Sequence, residues 1–165
     1  ALGAHPRFHL RQSPLEECDR ADLATRRFDT AFCVNVLEHI EDDVEALRTF
    51  RDVIVPEGRV LIFVPAVQAA YGPLDAALGH HRRYSKRSLA KAFADADLEL
   101  IMLRYTNPIG LLGWLFGTYI TRATRHSAVQ ISLFEWLVAW WALPLERLIS
   151  APIGLSLVAV GKPRG

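Results

Sequence analysis

Apolar positions along this chain follow two alternating rhythms, short unbroken runs and stripes at helical spacing. Thr30-Ala-Phe-Cys-Val-Asn-Val36 is a continuous run rich in β-branched and aromatic residues, as a strand covered on both faces requires. Glu41-Asp42-Asp43 then places negative charge where a helix N-terminus favours it. Val44, Leu47, Phe50 and Ile54 recur at helical spacing, which predicts an amphipathic helix ending near Val55. Pro56-Glu57-Gly58 reads as a turn, and Arg59-Val-Leu-Ile-Phe-Val64 as a second strand closed by Pro65. Strand, helix and strand in that order make a βαβ unit.

Between Ala66 and Tyr84 the rhythm breaks down. Tyr71-Gly72-Pro73 and the polar cluster His80-His81-Arg82-Arg83-Tyr84 predict a long surface loop, and loops of that length inside a compact domain are usually functional. Ser85 is placed to cap a helix with Leu89, Phe93 and Ala96 on one face, and Leu98 to Tyr105 reads as a third strand, giving a second βαβ unit. Residues 108 to 150 read as a largely helical, aromatic-rich stretch with Trp114, Phe116, Phe134, Trp136, Trp140 and Trp141. Gly154 to Gly161 supplies a last strand, and Arg7 to Arg11 a short one at the front. The alternation predicts one α/β domain with a mainly parallel sheet and right-handed crossovers. Ligands in such sheets sit beyond the carboxyl ends of the strands, which singles out Asn35 to Ile40, Pro65 to Tyr84 and Thr106 to Pro108.

Composition narrows function more than fold. At 165 residues and 51% hydrophobic content the chain is the size of one domain with a sizeable core. A formal net charge of +1 leaves no bulk field to gather nucleic acid, so no nucleic-acid partner is expected. Cys18 and Cys33 form neither a paired metal spacing nor a disulfide framework, which suits a reducing, cytoplasmic setting. Residues Ala1 to Gln12 carry no basic start with an apolar run. The longest uncharged stretch, Tyr105 to Thr121, is broken by Pro108, Gly110, Gly113 and Gly117, whereas a spanning helix needs about 20 apolar residues.

The run Phe28 to Ile40, with its Leu37-Glu38-His39 element, followed by Leu47 through the Pro56-Glu57-Gly58-Arg59 turn into Leu61 to Pro65, resembles a known fold. It is similar to the fourth and fifth strand region of class I S-adenosylmethionine-dependent methyltransferases, closest to the small-molecule enzymes of the type 11 and type 12 kind. The resemblance covers roughly Phe8 to Tyr105, and Leu155 to Val160 is similar to that fold's last strand. Gly79-His-His-Arg-Arg-Tyr84 is similar to a loop of one bacterial branch. It implies a Rossmann-like methyltransferase sheet, incomplete here and running from the third to the seventh strand region, with residues 107–152 as a helical insertion before the last strand. The glycine-rich loop after the family's first strand has no counterpart, no Gly-x-Gly occurs, and the acidic residue expected beside adenine is replaced by Gln12-Ser13-Pro14. These departures and the Ala1 start predict a carboxyl-terminal fragment; the rival is a shortened product that has lost activity and serves as a scaffold or membrane-peripheral interaction module.

The resemblance implies S-adenosylmethionine as cofactor, faced by Val34, Asn35 and Val36, with a small-molecule or lipid-linked acceptor. Asn35, polar in an apolar run, asks for a partner on physical grounds, either the cofactor or a neighbouring loop. His39 is a candidate catalytic base because imidazole is the side chain suited to proton transfer near neutral pH, against a helix-entry histidine satisfied by backbone. Glu38 reads as structural or water-facing. His80 and His81 are adjacent and point in different directions, so no metal is expected. Tyr71, His81, Arg83 and Tyr84 are candidate acceptor contacts in a lid, Arg83 offering a planar fork to an anionic group; the alternative ties Arg83 to Asp75 or Asp95. The aromatics of 107–152 have three outlets: packing on the sheet, a homodimer face, or a membrane interface.

Overall fold

The computed structural model describes residues 14–115 and 152–165. Helix α1 (Arg20–Thr25) leads into strand β1 (Phe28–Val34), a one-turn 3-10 segment (Leu37–His39) and helix α2 (Asp43–Val53). Asp42 caps α2, its carboxylate accepting from the Glu45 amide at 2.9 Å, as the acidic cluster predicts. Strand β2 (Ile54–Pro65) is followed by a further 3-10 turn (Gln68–Ala70) and helix α3 (Pro73–Ala77). Helix α4 (Lys86–Asp95), strand β3 (Leu98–Thr106), helix α5 (Pro108–Leu115) and strand β4 (Ser156–Pro163) complete the described chain. The Ser85 hydroxyl accepts from the Ser88 amide, so the expected cap on α4 forms. The expected strand at Arg7 to Arg11 and the insertion beyond Leu115, including its homodimer and membrane outlets, lie outside the described residues. Among the described residues no helix is long and apolar enough to cross a membrane.

The strands form one sheet in the order β1-β2-β4-β3. The α/β reading holds, and β1, β2 and β3 all run the same way as a mainly parallel sheet requires; of the four described strands β4 alone is reversed, antiparallel to both β2 and β3. Buried apolar runs look alike in either orientation, so the sequence signal carried no direction. The second crossover, β2 through α4 to β3, skips a position that β4 fills from the opposite direction. The Asn107 carbonyl accepts from both the Leu111 and Leu155 amides, so the chain leaves the sheet and returns to it at one point.

Pro56-Glu57-Gly58 is not a free turn but a bulge inside β2: Phe28 faces Ile54 and Thr30 already faces Arg59. A Cβ on Gly58 would lie 2.8 Å from the Val55 carbonyl oxygen and 2.9 Å from that of Asp29. Only glycine lets the backbones approach so closely. Leu47, Val60, Ile62, Val64, Leu89, Phe93, Leu98 and Leu157 fill the core with no exposure above 1%. Strand β1 lies at one edge of the described sheet, and one of its faces presents Phe32 at 73% exposure and Val34 about half exposed, with Val36 equally exposed just beyond the strand.

Candidate functional site

Parallel pairing puts the carboxyl ends of β1 and β2 side by side, and the two segments that follow them are joined by a short ladder of hydrogen bonds. The His81 amide donates to the Glu38 carbonyl at 2.8 Å, and the Tyr84 hydroxyl donates to Asp43 Oδ2 at 2.8 Å. Arg82 reaches the Glu41 carbonyl at 2.7 Å and pairs with Asp43 at 3.1 Å. Backbone strain marks the start of the loop: Val67, a β-branched residue, sits at φ 65° while its amide donates to the Tyr84 carbonyl.

Inside the loop Asp75 is the hub. It is fully buried; one oxygen accepts from Arg83 Nε at 2.9 Å and from His80 Nδ1 at 2.8 Å, the other from the Gly72 amide at 2.9 Å. Arg83 also donates to the Ala66 carbonyl and lies 4.3 Å over the Trp114 ring, whose indole nitrogen donates to the Ala70 carbonyl. Arg83 and Tyr84 are thus interior groups at 4% and 1% exposure. Their placement favours the tie to Asp75 over acceptor contact, because Arg83 spends Nε on that carboxylate and Nη1 on the Ala66 carbonyl, both inside the loop. Tyr71 donates to the His80 carbonyl at 2.7 Å and is half-buried, while His81 is exposed.

Gly79, at φ 77°, lets the chain turn out of α3 and present His80. The His80 and His39 rings meet edge to face, centroids 4.7 Å apart. Because Asp75 only accepts, His80 Nδ1 carries the proton, and Nε2 faces Glu38 Oε1 at 3.9 Å. Glu38 is 1% exposed, and neither carboxylate oxygen has a hydrogen-bond partner among the described residues. Burial pushes its carboxyl above the ordinary range; its own backbone amide and the charges of His80, His39 and Arg83 pull back without cancelling that. Of the two readings of Glu38 that the sequence left open, structural and water-facing, burial removes the second, and the carboxylate is left without a hydrogen-bond partner among the described residues. One carboxylate and two imidazoles, each offering an atom within 4.8 Å of the others, come together here. Sequence spacing could not show this, since His80 arrives from a loop far along the chain.

Strand β1 ends at Val34, and Asn35 and Val36 follow it, all three exposed. Asn35 adopts φ 50° and its amide donates to the Phe63 carbonyl at 2.9 Å. Its polarity answers a left-handed backbone, which asparagine tolerates, more than a need for a buried side-chain partner.

A family model described as a methyltransferase domain matches residues 5–103. No curated protein matches. Among solved structures, a candidate methyltransferase of Bacillus halodurans is 13% identical with a TM-score of 0.58, matching 98% of this chain and 74% of that one. A SAM dependent methyltransferase of Archaeoglobus fulgidus is 11% identical at a TM-score of 0.51, over 96% of this chain and 69% of that one. A chain of the complex between a Haloferax volcanii methyltransferase activator and a candidate methyltransferase is 16% identical at a TM-score of 0.50, with 84% of this chain on 55% of that one. The chain thus spans little more than half to three quarters of these structures. They share its fold, a truncated Rossmann-like methyltransferase sheet, and S-adenosylmethionine is the cofactor that goes with such a domain. With the family match covering more than half of its length on the elements just described, this chain belongs to the methyltransferase domain family.

Proposed function

We propose that this chain supplies the carboxyl-terminal wall of an S-adenosylmethionine-dependent methyltransferase that acts on a small-molecule or lipid-linked acceptor. The observation that carries the reading is the carboxyl end of β1, where half-exposed Val34 and Val36 open directly into the Leu37–His39 turn. An apolar wall of this kind fits the adenosyl and thioether parts of the cofactor. The glycine-rich cradle for its methionine end is not in this sequence. The position of β1 at the edge of the described sheet supports a reading in which that cradle comes from a further strand paired along it, outside this chain. S-adenosylmethionine supplies the activated methyl group when bound; the chain's residues hold and orient. His39, exposed at the mouth beside the buried Glu38, stands where an acceptor would be activated, and the 66–84 loop forms the wall facing it. A cytoplasmic setting belongs to the same proposal.

Isothermal titration of S-adenosylhomocysteine into the chain tests it. Half a pocket predicts one-to-one binding with a Kd of about 0.1 to 1 mM, worth about 4 to 5.5 kcal/mol. Val36→Asp weakens it at least tenfold, and Ile101→Asp, on the far edge of the sheet, leaves it unchanged. No heat at millimolar ligand, or equal loss in both variants, overturns the reading.

A further inference from the structure

We propose that Glu38, His39 and His80 form a binding site for a divalent cation of the zinc type. Glu38 is the first reason. A carboxylate at 1% exposure with both side-chain oxygens unpartnered among the described residues carries a desolvation cost that its own backbone amide and the neighbouring imidazoles and guanidinium only partly offset. Its neighbour makes the need specific. His80 donates its Nδ1 proton to Asp75 at 2.8 Å, so in the neutral ring the lone pair of Nε2 points at Glu38 Oε1. Two electron-rich atoms thus face each other across 3.9 Å. That gap is too long for a hydrogen bond, which closes at about 3.2 Å or less. A cation about 2.0 to 2.2 Å from each would draw the two atoms a few tenths of an ångström together, to the separation of a tetrahedral site.

The surroundings are those of a metal-binding histidine. Asp75 fixes the His80 tautomer and ring, and Asp75 is itself held by Arg83 and the Gly72 amide, the carboxylate–histidine arrangement that orients a ligand from behind. His39, edge to face with His80, offers a third ligand within 4.8 Å from the exposed side, which leaves a path for entry and an open coordination position. Two imidazoles and one carboxylate favour zinc, cobalt or iron over magnesium or calcium. The open position faces the mouth of the proposed acceptor site, so its natural fourth ligand is an acceptor oxygen, a hydroxyl or carboxylate. That last clause rests on the methyl-transfer reading; the cation site does not.

The test uses the metal-free chain, with Co(II) followed by visible absorption and Zn(II) by titration calorimetry. One equivalent binds, and Glu38→Gln and His80→Asn each weaken it about 100-fold, while His81→Ala, one residue away and exposed, leaves it unchanged. Circular dichroism confirms that each variant is folded. Should His80→Asn fail that check, the near-isosteric Glu38→Gln decides. No saturable binding, or binding indifferent to Glu38→Gln, overturns the proposal. Neither cofactor nor acceptor enters this assay. Cation binding in a chain that ignores S-adenosylhomocysteine sinks the methyl-transfer reading alone, and the reverse result sinks the cation site alone.

Discussion

The hydroxyl of Tyr84 donates to the Asp43 carboxylate while its ring is sealed in the core at 1% exposure. Burial first, and the Asp43 carboxylate second, push its ionisation far above the ordinary phenol range. The folded chain therefore holds this proton more tightly than the unfolded one. The sign follows from linkage: the contribution is fully present below the unfolded value near 10 and is lost as pH climbs above it. Chemical denaturation across pH 7 to 11 should show stability falling beyond pH 10. Tyr84→Phe should cost about 1 kcal/mol at pH 7, for the lost hydrogen bond, and flatten the alkaline decline. An unchanged alkaline slope in the variant would contradict this assignment. At the same scale, sequence reasoning found the residues of the site better than their roles. The alternative weighed for Arg83, a tie to Asp75, is what the geometry favours, because a guanidinium next to a buried carboxylate costs less paired than displayed. For Glu38 the sequence left structural and water-facing open, and the choice between them is made by the 66–84 loop packing against it, which no local pattern announces.

Helix and strand elements were legible where a single periodicity governed them. Asp42 and Ser85 cap α2 and α4 as their side chains predict, and Leu89 and Phe93 turn to the core. The loop between β2 and α4 was legible only as a break in pattern, since its short helix and 3-10 turn are held by Asp75 and Tyr84, not by propensity. The Pro56-Glu57-Gly58 bulge shows where a local signal misleads: its turn chemistry is real, yet the register of β1 absorbs it within a longer strand. Gly58→Ala puts a methyl group against two carbonyl oxygens in that bulge. It should destabilise the chain by about 1 to 3 kcal/mol in urea unfolding with the slope unchanged. Wild-type stability in this variant would mean that the bulge is looser than described.

At the scale of the whole molecule, the sheet order β1-β2-β4-β3 was beyond single-sequence reading because β4 enters antiparallel between strands that precede it. The resemblance to class I methyltransferases reached the family; the site's depth came only from two distant segments meeting. The same topology leaves β1 at the edge of the described sheet with an exposed apolar face, and the account makes the carboxyl end of that strand the cofactor wall. The most direct measurement is a map of amide chemical shifts in the nitrogen-15-labelled chain as S-adenosylhomocysteine is added to millimolar concentration. The account predicts that the shifted amides cluster at Val34 to His39 and the carboxyl end of β2, with the β3 edge around Ile101 and Met102 silent. Shifts confined to the β3 edge, or none at saturation, would contradict it.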